Sequence, residues 1–522
     1  MKKNMHTFYR KMALALLLVS TLGINACQEL DENVYSEITT ANFYETKDQV
    51  MAAYLLPYGY MQEVVYDIHW SLATFPTDEA VATVKNGQGY ENGRWIQFHQ
   101  HTWTTSLDFI LWEWFNVMRG IGFCNQFIAE IESRDLSAMD LPLSKEQMLA
   151  EMKLLRAQFY YFAIDMFGNV PIVTTVGEAN PTTRPRAEVF AFIESEILAN
   201  INLLGEKGDH GWYGHFTKTA AHALLARLYI NAEVFAGTPR WDDAIASCDY
   251  IINSGHYTLD ATWDAPFKVR NENSQENILV VPYDYNYATG FNMGMQNLPG
   301  AMRDAYGIPG WPWGKTVTQE SFFRLFKEND LRINQWLVGP QSYLDASGNQ
   351  QPVWGWWDQD GEQLVIRPQI ALLNNPNGGY GDGVRNIKYE IERGMQDNMS
   401  NDFVMYRLSE ILFLKAEALM RKNGGTATQE AVTLINQVRR RAFAPGDPDA
   451  TYTTATLTLN ELLNERGREF AYEMKRREDL IRFGKFGEPW WEKPASAKTR
   501  ELYPIPMQIR VANPLLEQNP GY

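Results

Sequence analysis

Residues 151–171 read EMKLLRAQFYYFAIDMFGNVP, and this stretch indicates the fold class more clearly than any other part of the chain. Four apolar residues recur at helical spacing and would share one face: Leu155, Phe159, Phe162 and Met166. This spacing predicts an amphipathic helix over residues 151–167. Gly168, followed closely by Pro171, is a typical signal for the end of a helix. We therefore expect a helix that packs one side against a large core.

Helical patterns recur on both sides of this segment. They predict helices over residues 48–62, 106–131, 186–204, 216–235, 242–253, 402–422, 428–443 and 459–483. Pro57 is expected to kink or end the first of them, and residues 70–105 are expected to form a loop. Small residues recur between Thr219 and Ala226, which would let helix pairs approach closely, as in tetratricopeptide-like hairpins. The predicted fold class is mostly α, with degenerate helical hairpins.

Residues 257–389 differ in kind from the helical part. They are rich in Gly, Asn, Pro and Trp and contain few long periodic runs. A span of this length without regular structure inside a compact protein is usually functional. We predict an irregular Trp- and Gly-rich insertion that contains a few short strands.

The N-terminus has the pattern of an export signal. Four basic residues precede an apolar run over residues 12–22, which is shorter than the roughly 20 residues that span a bilayer. Ala26 then precedes Cys27, as in a bacterial lipobox, and the acidic stretch after Cys27 resembles a surface-export tag. We predict a lipoprotein signal peptide over residues 1–26 and acylation of Cys27, which would anchor the mature chain to a membrane. An ordinary signal peptide with a nearby cysteine is the alternative.

The charge balance excludes one class of partner. The formal net charge is −16 at pH 7, and removal of the signal would take away four more basic residues and no acidic ones. A nucleic-acid-binding protein is expected to carry a basic stripe instead. We therefore expect no nucleic-acid partner.

Two cysteines remain in the mature chain, Cys124 and Cys248, and each lies in an apolar helical pattern. Free cysteine commonly behaves as a small buried hydrophobic residue. We expect two buried thiols, with a disulfide between them as the alternative.

Several segments, in order along the chain, are similar to signatures of the SusD/RagB family of outer-membrane nutrient-binding lipoproteins. The early ones are Asn42-Phe43-Tyr44, Thr77-Asp78-Glu79-Ala80, Arg94-Trp95 and His99-Gln100-His101-Thr102-Trp103. The central one is Leu155-Arg156-Ala157-Gln158-Phe159-Tyr160-Tyr161-Phe162, followed by Phe167-Gly168-Asn169-Val170-Pro171. The late ones are Tyr406-Arg407-Leu408-Ser409-Glu410, Ala416-Glu417-Ala418, Glu465-Arg466-Gly467-Arg468-Glu469, Arg476-Arg477-Glu478-Asp479 and Asn519-Pro520-Gly521-Tyr522.

The resemblance implies a SusD-like fold, with an N-terminal SusD-like helical region over residues 27–256 and a RagB/SusD region over residues 257–522. The second region would contain the irregular insertion, 257–389, and the C-terminal helices and tail, 390–522. The resemblance also implies a monomeric, surface-exposed, lipid-anchored protein of the outer membrane. Its partner would be a SusC-like TonB-dependent transporter, to which it would deliver an extracellular oligo- or polysaccharide.

Aromatic residues in the irregular segments are the candidate glycan-binding groups. Sugar rings stack on flat aromatic faces, and loops on a rigid scaffold commonly carry binding residues. The candidate platforms are Trp95, Tyr287, Trp311 and Trp313, and the candidate partners for sugar hydroxyls are Asp78, Arg94, Asn292 and Asp358. We expect the early loop and the central insertion to bring these residues to one face.

Two other functions, glycoside hydrolysis and peptide binding, are alternatives. A glycoside hydrolase needs two carboxylates flanking the scissile bond, and no such pair or other catalytic motif is recognised, so no catalytic residue, cofactor or metal is predicted. His99 and His101 lack a third zinc ligand, and the turn Asp358–Asp360 lacks full EF-hand spacing. Peptide or glycopeptide cargo on the same fold and with the same partner stays open, although the exposed-tryptophan pattern favours glycan.

Overall fold

The computed structural model describes residues 43–209 and 213–522. Residues Met51–Tyr522 form one compact unit, and Met1–Val50 form a second unit of which only 43–50 are described. The predicted signal and Cys27 lie outside the described residues. Within the described part, no helix is both long and apolar enough to cross a membrane.

The first half of the chain is helical. Its helices are α1 Lys47–Val64, α2 Trp70–Thr74, α3 Arg94–Gln100, α4 Asp108–Glu132, α5 Lys145–Met166, α6 Arg186–Asn200, α7 Lys218–Ile230, α8 Ala232–Ala236 and α9 Trp241–Ser254. Helices that are close in sequence pack against one another, as α4 does on α5, α5 on α6 and α7 on α9. The mostly helical fold class is confirmed, while the tetratricopeptide-like character of these pairs stays a prediction. Cys124 and Cys248 are buried free thiols, as predicted.

Helix α5 contains the deciding stretch but begins six residues before its predicted start. Ser144 and Gln147 form a capping box, in which the Ser144 hydroxyl accepts from the Gln147 amide and the Gln147 side chain accepts from the Ser144 amide. The helix ends at Met166, next to Phe167 and a left-handed Gly168. Nearly all of its last fifteen side chains are buried, so this helix lies in the middle of the core.

The central insertion is irregular, as predicted. Its short helices are α10 Met293–Asn297, α11 Arg303–Tyr306 and α12 Glu320–Phe323. The strands of the protein are β1 Ala80–Ala82, β2 Val84–Lys85, β3 Asn277–Val281, β4 Thr316–Thr318, β5 Trp336–Leu337, β6 Gly339–Pro340, β7 Ser342–Leu344, β8 Gln350–Pro352, β9 Val365–Ile366, β10 Asn374–Asn375, β11 Arg385–Asn386 and β12 Phe403–Arg407.

The C-terminal helices are α13 Leu408–Lys422, α14 Gln429–Arg439, α15 Leu459–Glu469, α16 Arg476–Arg482 and α17 Met507–Ala512. Two predictions for this part were wrong. The first residues of the predicted helix 402–422 form β12, because this fully buried aromatic and β-branched run pairs antiparallel with β3. The predicted helix 459–483 is interrupted between Glu469 and Arg476, where Tyr472 and Met474 adopt left-handed backbone conformations.

In the early segment, helix α1 continues through Pro57 rather than ending there, and a kink at Pro57 stays a prediction. The loop prediction for the residues that follow was wrong. Residues 70–105, expected to be a loop, contain α2, α3, β1 and β2. These short elements hold the segment in place, because the two strands pair with partners more than 200 positions away in the sequence.

Strand pairing joins the early segment directly to the central insertion. β1 pairs antiparallel with β4, with Val81 opposite Val317, and β2 pairs parallel with β10. Val81 and Val317 lie in a small apolar cluster with Ile370 and Leu373. The two segments expected to share a face are therefore held together by backbone hydrogen bonds and an apolar core.

Glu79, next to β1, carries a testable consequence of its burial. The side chain is 1% exposed and accepts a hydrogen bond from the Tyr472 amide at 2.6 Å. Burial raises the pKa of the Glu79 carboxyl to about 8, against the lowering effects of this hydrogen bond and of Arg476. Neutral Glu79 therefore supports the fold fully below about pH 4.5, and that contribution is lost as the pH rises through about 8.

We expect Glu79→Gln, which keeps the oxygen acceptor, to stabilise the protein at pH 8 by at least about 1 kcal/mol and to change stability little at pH 4.5. Urea unfolding at the two pH values measures this difference. Parallel pH profiles for the wild type and the variant would contradict the assigned protonation of Glu79.

Candidate ligand-binding cleft

An open cleft of about 680 Å³ lies between the early segment and the central insertion. Six tryptophans line it: Trp95, Trp112, Trp311, Trp313, Trp356 and Trp357. The first two come from α3 and α4, and the other four come from the insertion. The strand pairs β1–β4 and β2–β10 set the distance between these two sides.

Trp311 and Trp313 present the most open aromatic surface of the cleft. Their side chains are 56% and 46% exposed, and Pro312 between them is buried. Residues two apart in an extended segment point to the same side, and proline fixes the backbone of such a segment. The Trp313 amide donates to the Met295 carbonyl at 2.7 Å, which ties the segment to α10.

A chain of aromatic rings in contact continues from Trp311 into the cleft. Trp356 lies 5.1 Å from Trp311 between ring centroids, and Trp357 stacks on Tyr380 at 4.8 Å with an interplanar angle of 18°. Gly300 permits this arrangement, because a Cβ atom there would lie 2.7 Å from the Trp356 ring. Trp357 has a positive φ of 56°, which is a strained backbone conformation for a tryptophan. Its stacking on Tyr380 stabilises this conformation.

The floor of the cleft carries cations. Lys85 is buried, and its ammonium donates to the carbonyls of Thr83 and Lys315 at 3.3 and 3.2 Å. The Lys315 ammonium lies 4.3 Å from the centroid of the Trp95 ring and 4.0 Å from Asp67 Oδ1. Arg94 pairs with Glu91 at 3.0 Å and with Asp108.

Several buried polar atoms of the lining have no hydrogen-bond partner within the described residues. They are Thr83 Oγ1, Arg94 Nε, Trp95 Nε1 and Gln296 Oε1. Buried polar groups are nearly always satisfied, so each exception needs an explanation. All four atoms belong to residues that line the same cleft.

The cleft brings together four of the eight residues proposed from the sequence: Trp95, Arg94, Trp311 and Trp313. One of them differs from the expectation. Trp95 is only 2% exposed, because Phe75 and Phe109 pack on its ring at 4.8 and 4.9 Å and Lys315 lies over it. Trp95 is therefore not an open stacking platform in this structure, and its part in glycan binding stays a prediction.

Three of the other proposed residues, Asp78, Tyr287 and Asn292, are not part of the lining. Both oxygens of Asp78 accept from Arg476 at 2.7 Å, and the role of this carboxylate as a partner for sugar hydroxyls stays a prediction. Tyr287 is 94% exposed at the tip of a turn closed by Asp284 and Ala288. Asn292 accepts from Gln296 at 3.3 Å. Asp358 lies in the short turn Trp357–Gln359, and its side chain is outside what the structure describes.

Sequence reasoning did not select Lys85, Lys315, Gln296 or Tyr380, all of which line the cleft. The pair Trp112 and Trp114 on α4 was expected to be core on at least one side, and Trp114 is buried while Trp112 is 40% exposed and lines the cleft. The sequence did contain a signal that one of these two tryptophans is exposed. Residues two apart on a helix are separated by about 200° around its axis, so Trp112 and Trp114 cannot both face the core.

His99 and His101, weighed as zinc ligands, lie in the core. His101 stacks on Phe486 and contacts the Pro76 carbonyl at 2.9 Å, and His99 contacts the Trp491 carbonyl at 2.6 Å. Burial lowers the pKa of His99 to about 4. Within residues 43–209 and 213–522 no group of three His, Cys, Asp or Glu side chains could hold a metal ion.

Two family models match the chain. One is described as "SusD family" and matches residues 259–522, and the other is described as "Starch-binding associating with outer membrane" and matches residues 30–230. Among curated proteins, the chain is 26% identical to "Starch-binding protein SusD" of Bacteroides thetaiotaomicron, over 86% of this chain and 84% of that protein. It is 23% identical to "SusD-like protein P2" of Formosa agariphila, over 98% and 99%.

Solved structures share the fold. A SusD superfamily protein from Parabacteroides distasonis superposes with a TM-score of 0.70 at 21% identity, covering 93% of this chain and 100% of that one. Surface glycan-binding protein A from Bacteroides thetaiotaomicron, in complex with laminarihexaose, has a TM-score of 0.70 at 19% identity, over 91% and 99%. Since the first family model covers more than half of the sequence, from residue 259 to residue 522, the chain belongs to the SusD family.

Proposed function

We propose that this protein is a non-catalytic, cell-surface binding protein that captures an extracellular glycan and delivers it to a SusC-type TonB-dependent transporter. The observation that carries the proposal is the pair of half-exposed indole rings, Trp311 and Trp313, at the mouth of a cleft with unpaired polar atoms. Aromatic faces bind the C–H faces of sugar rings, and the unpaired atoms would bind sugar hydroxyls.

The size and openness of the cleft suit capture and release. If one sugar ring covers roughly 50 Å² of an indole, the contact contributes about 1.3 kcal/mol at ~25 cal/mol/Å². Two such contacts with a few hydrogen bonds give modest affinity. A protein that passes its ligand to a transporter needs such affinity, because very tight binding would slow release.

The names of the relatives support carbohydrate as the ligand class. The curated relative from Bacteroides thetaiotaomicron is named a starch-binding protein, and one structural neighbour is titled a laminarin binding SusD-like protein. The same relatives support a binding function without catalysis. Of the two carboxylates that line the cleft, Glu91 pairs with Arg94, and Asp67 accepts from Ser71 at 3.0 Å. A glycosidase needs a free acid and a free base or nucleophile on opposite sides of the scissile bond.

The anchor and the transporter are part of the proposal. Acylation of Cys27 would hold the protein on the outer membrane, because two or more acyl chains make attachment stable. The SusC-type partner rests on membership of the family. Mass spectrometry of the N-terminal peptide of the native protein tests the first point, and co-purification of a TonB-dependent barrel from the outer membrane tests the second.

Affinity electrophoresis of the purified protein through gels containing starch, laminarin, xylan, polygalacturonate, alginate or carrageenan tests glycan binding. We expect at least one polysaccharide to retard the protein and none to release reducing ends. Release of reducing ends that depends on Asp67 or Glu91 would contradict the non-catalytic assignment. Binding of a peptide mixture without binding of any polysaccharide would favour peptide cargo instead.

A further inference from the structure

The proposed function does not specify the class of glycan. The basic side chains at the floor of the cleft indicate which class it is. From the cluster of basic side chains beneath the tryptophans, Lys85, Lys315 and Arg385, we infer that the cleft binds an anionic glycan, one whose sugars carry a carboxylate or a sulfate ester. This inference rests on the proposed function, because it names the ligand class of the same cleft.

Lys85 is the first element of the argument. Its ammonium has three N–H donors, and the two contacts that it makes are to main-chain carbonyls. Lys85 is almost completely buried, with 5% of its surface exposed. Within the described residues, however, no carboxylate lies within ion-pairing distance of its ammonium. Burial, with the positive charges of Arg385 and Lys315 nearby, holds the pKa of Lys85 well below its usual range. With no anion beside it, burial favours the neutral amine of Lys85, and a bound anionic group would restore the charged form.

Arg385 adds a positive charge below the floor. Its guanidinium donates to the carbonyls of Tyr380 and Asp382 at 2.7 and 2.8 Å, so its contacts are to main-chain oxygens. The nearby carboxylate of Asp382 pairs with Arg367 at 2.9 Å. Burial lowers the pKa of Arg385 to about 10, which still leaves it charged at neutral pH.

Lys315 places another positive charge on the surface of the cleft. Its nearest carboxylate oxygen, Asp67 Oδ1, is 4.0 Å away, too far for a hydrogen bond, and that oxygen already accepts from Ser71. Its ammonium makes no hydrogen bond to any residue that the structure describes. It therefore has donors that can point at a ligand resting on Trp311 and Trp313.

The unpaired atoms of the lining favour an anion further. Trp95 Nε1 and Arg94 Nε can only donate and both lysine side chains donate, whereas Gln296 Oε1 can only accept and Thr83 Oγ1 can do both. A neutral sugar hydroxyl needs acceptors as well as donors, but carboxylate and sulfate oxygens only accept. This excess of donors occurs in a protein with a formal net charge of −16, so the overall composition does not explain it.

The test compares each anionic polysaccharide that binds with a chemically neutralised form of the same backbone. Polygalacturonate and alginate are compared with their carboxyl-reduced forms, and carrageenan is compared with its desulfated form. Titration calorimetry uses the wild-type protein, Lys315→Met and Lys85→Met. We expect the anionic form to bind at least about tenfold more tightly than the neutral form, because charged hydrogen bonds contribute the difference.

Both lysine variants are expected to lose most of this preference while binding the neutral form within about threefold of the wild type. Lys422→Met, which removes an exposed lysine that is outside the cleft lining, is the control and should keep the preference. Circular dichroism checks that Lys85→Met is folded. If it is misfolded, the result for Lys315→Met alone tests the anionic assignment. Comparing the carboxylated polysaccharides with the sulfated one shows whether the cleft prefers carboxylates or sulfate esters.

Two outcomes separate this inference from the proposed function. Equal or tighter binding of the neutral forms, or binding of uncharged polysaccharides alone, overturns the anionic assignment and leaves glycan capture standing. If Lys315→Met still prefers the anionic form over the neutral form as strongly as the wild type does, the anionic assignment is likewise overturned. Binding to none of the polysaccharides, charged or neutral, contradicts the proposed function itself.

Discussion

Arg407→Met is expected to lower the free energy of unfolding by about 3–5 kcal/mol, because it removes a cation that three buried carboxylates share. Arg407 is 1% exposed, and its guanidinium lies 2.7–2.8 Å from oxygens of Glu276, Glu469 and Glu473. Burial alone would raise the pKa of Glu276, yet Arg441 and Arg407 lower it to about 2. Without Arg407, these acids would be left with less positive charge than their burial requires.

Arg324→Met is the matched control for this prediction. Arg324 pairs with Glu320 four residues away, and the arginine side chain is 61% exposed. Exposed pairs of this kind contribute about 0.3–0.5 kcal/mol. Urea unfolding followed by tryptophan fluorescence measures both variants. Similar losses for Arg407→Met and Arg324→Met would show that the buried network does not hold the fold together.

Replacing Trp311 and Trp313 together by alanine is expected to weaken glycan binding roughly 80-fold, because each ring contributes about 1.3 kcal/mol if a sugar covers ~50 Å² of it. Each single variant should lose about ninefold. The fold should be unaffected, since both side chains are about half exposed. Titration calorimetry with a polysaccharide that retards the wild-type protein measures the loss.

Trp354→Ala is the matched control for the tryptophan pair. Trp354 is 59% exposed in the same insertion, and it does not line the cleft. Its replacement should leave the affinity unchanged within about twofold. If Trp354→Ala loses as much affinity as the double variant, the ligand binds elsewhere on the insertion.

Local patterns predicted much of the helical fold. Helix α4 was expected over residues 106–131 and runs over Asp108–Glu132, and the end of α5 next to Gly168 was correct. These features depend on residues a few positions apart, where periodicity and end signals act. The start of α5 was missed because the helix was placed from the apolar stripe that begins at Leu155, whereas the capping box of Ser144 and Gln147 sets its start.

Long-range contacts determined what the sequence could not show. Asp78 looks like an available carboxylate, but it pairs with Arg476, 398 positions later. Trp95 looks like a loop residue, but Phe75, Phe109 and Lys315 cover its ring. Single-sequence reasoning identifies an aromatic residue in an irregular segment, whereas its exposure depends on which distant side chain packs on it.

The cleft itself follows the same rule. Trp311 and Trp313 were selected as aromatic residues of the irregular insertion, and both are about half exposed. Lys85 and Lys315 carried no local signal, since a single lysine is usually exposed. They meet only because β1 pairs with β4 and β2 with β10.

The central claim is that the tryptophan-lined cleft binds the glycan. A crystal structure of the mature protein with an oligosaccharide from a polysaccharide that retards it tests this claim most directly. We expect sugar rings to stack on the indoles of Trp311 and Trp313, with polar groups of the sugar within hydrogen-bond distance of Trp95 Nε1 or Lys315 Nζ. An oligosaccharide bound on another face, with the cleft empty, would contradict the account.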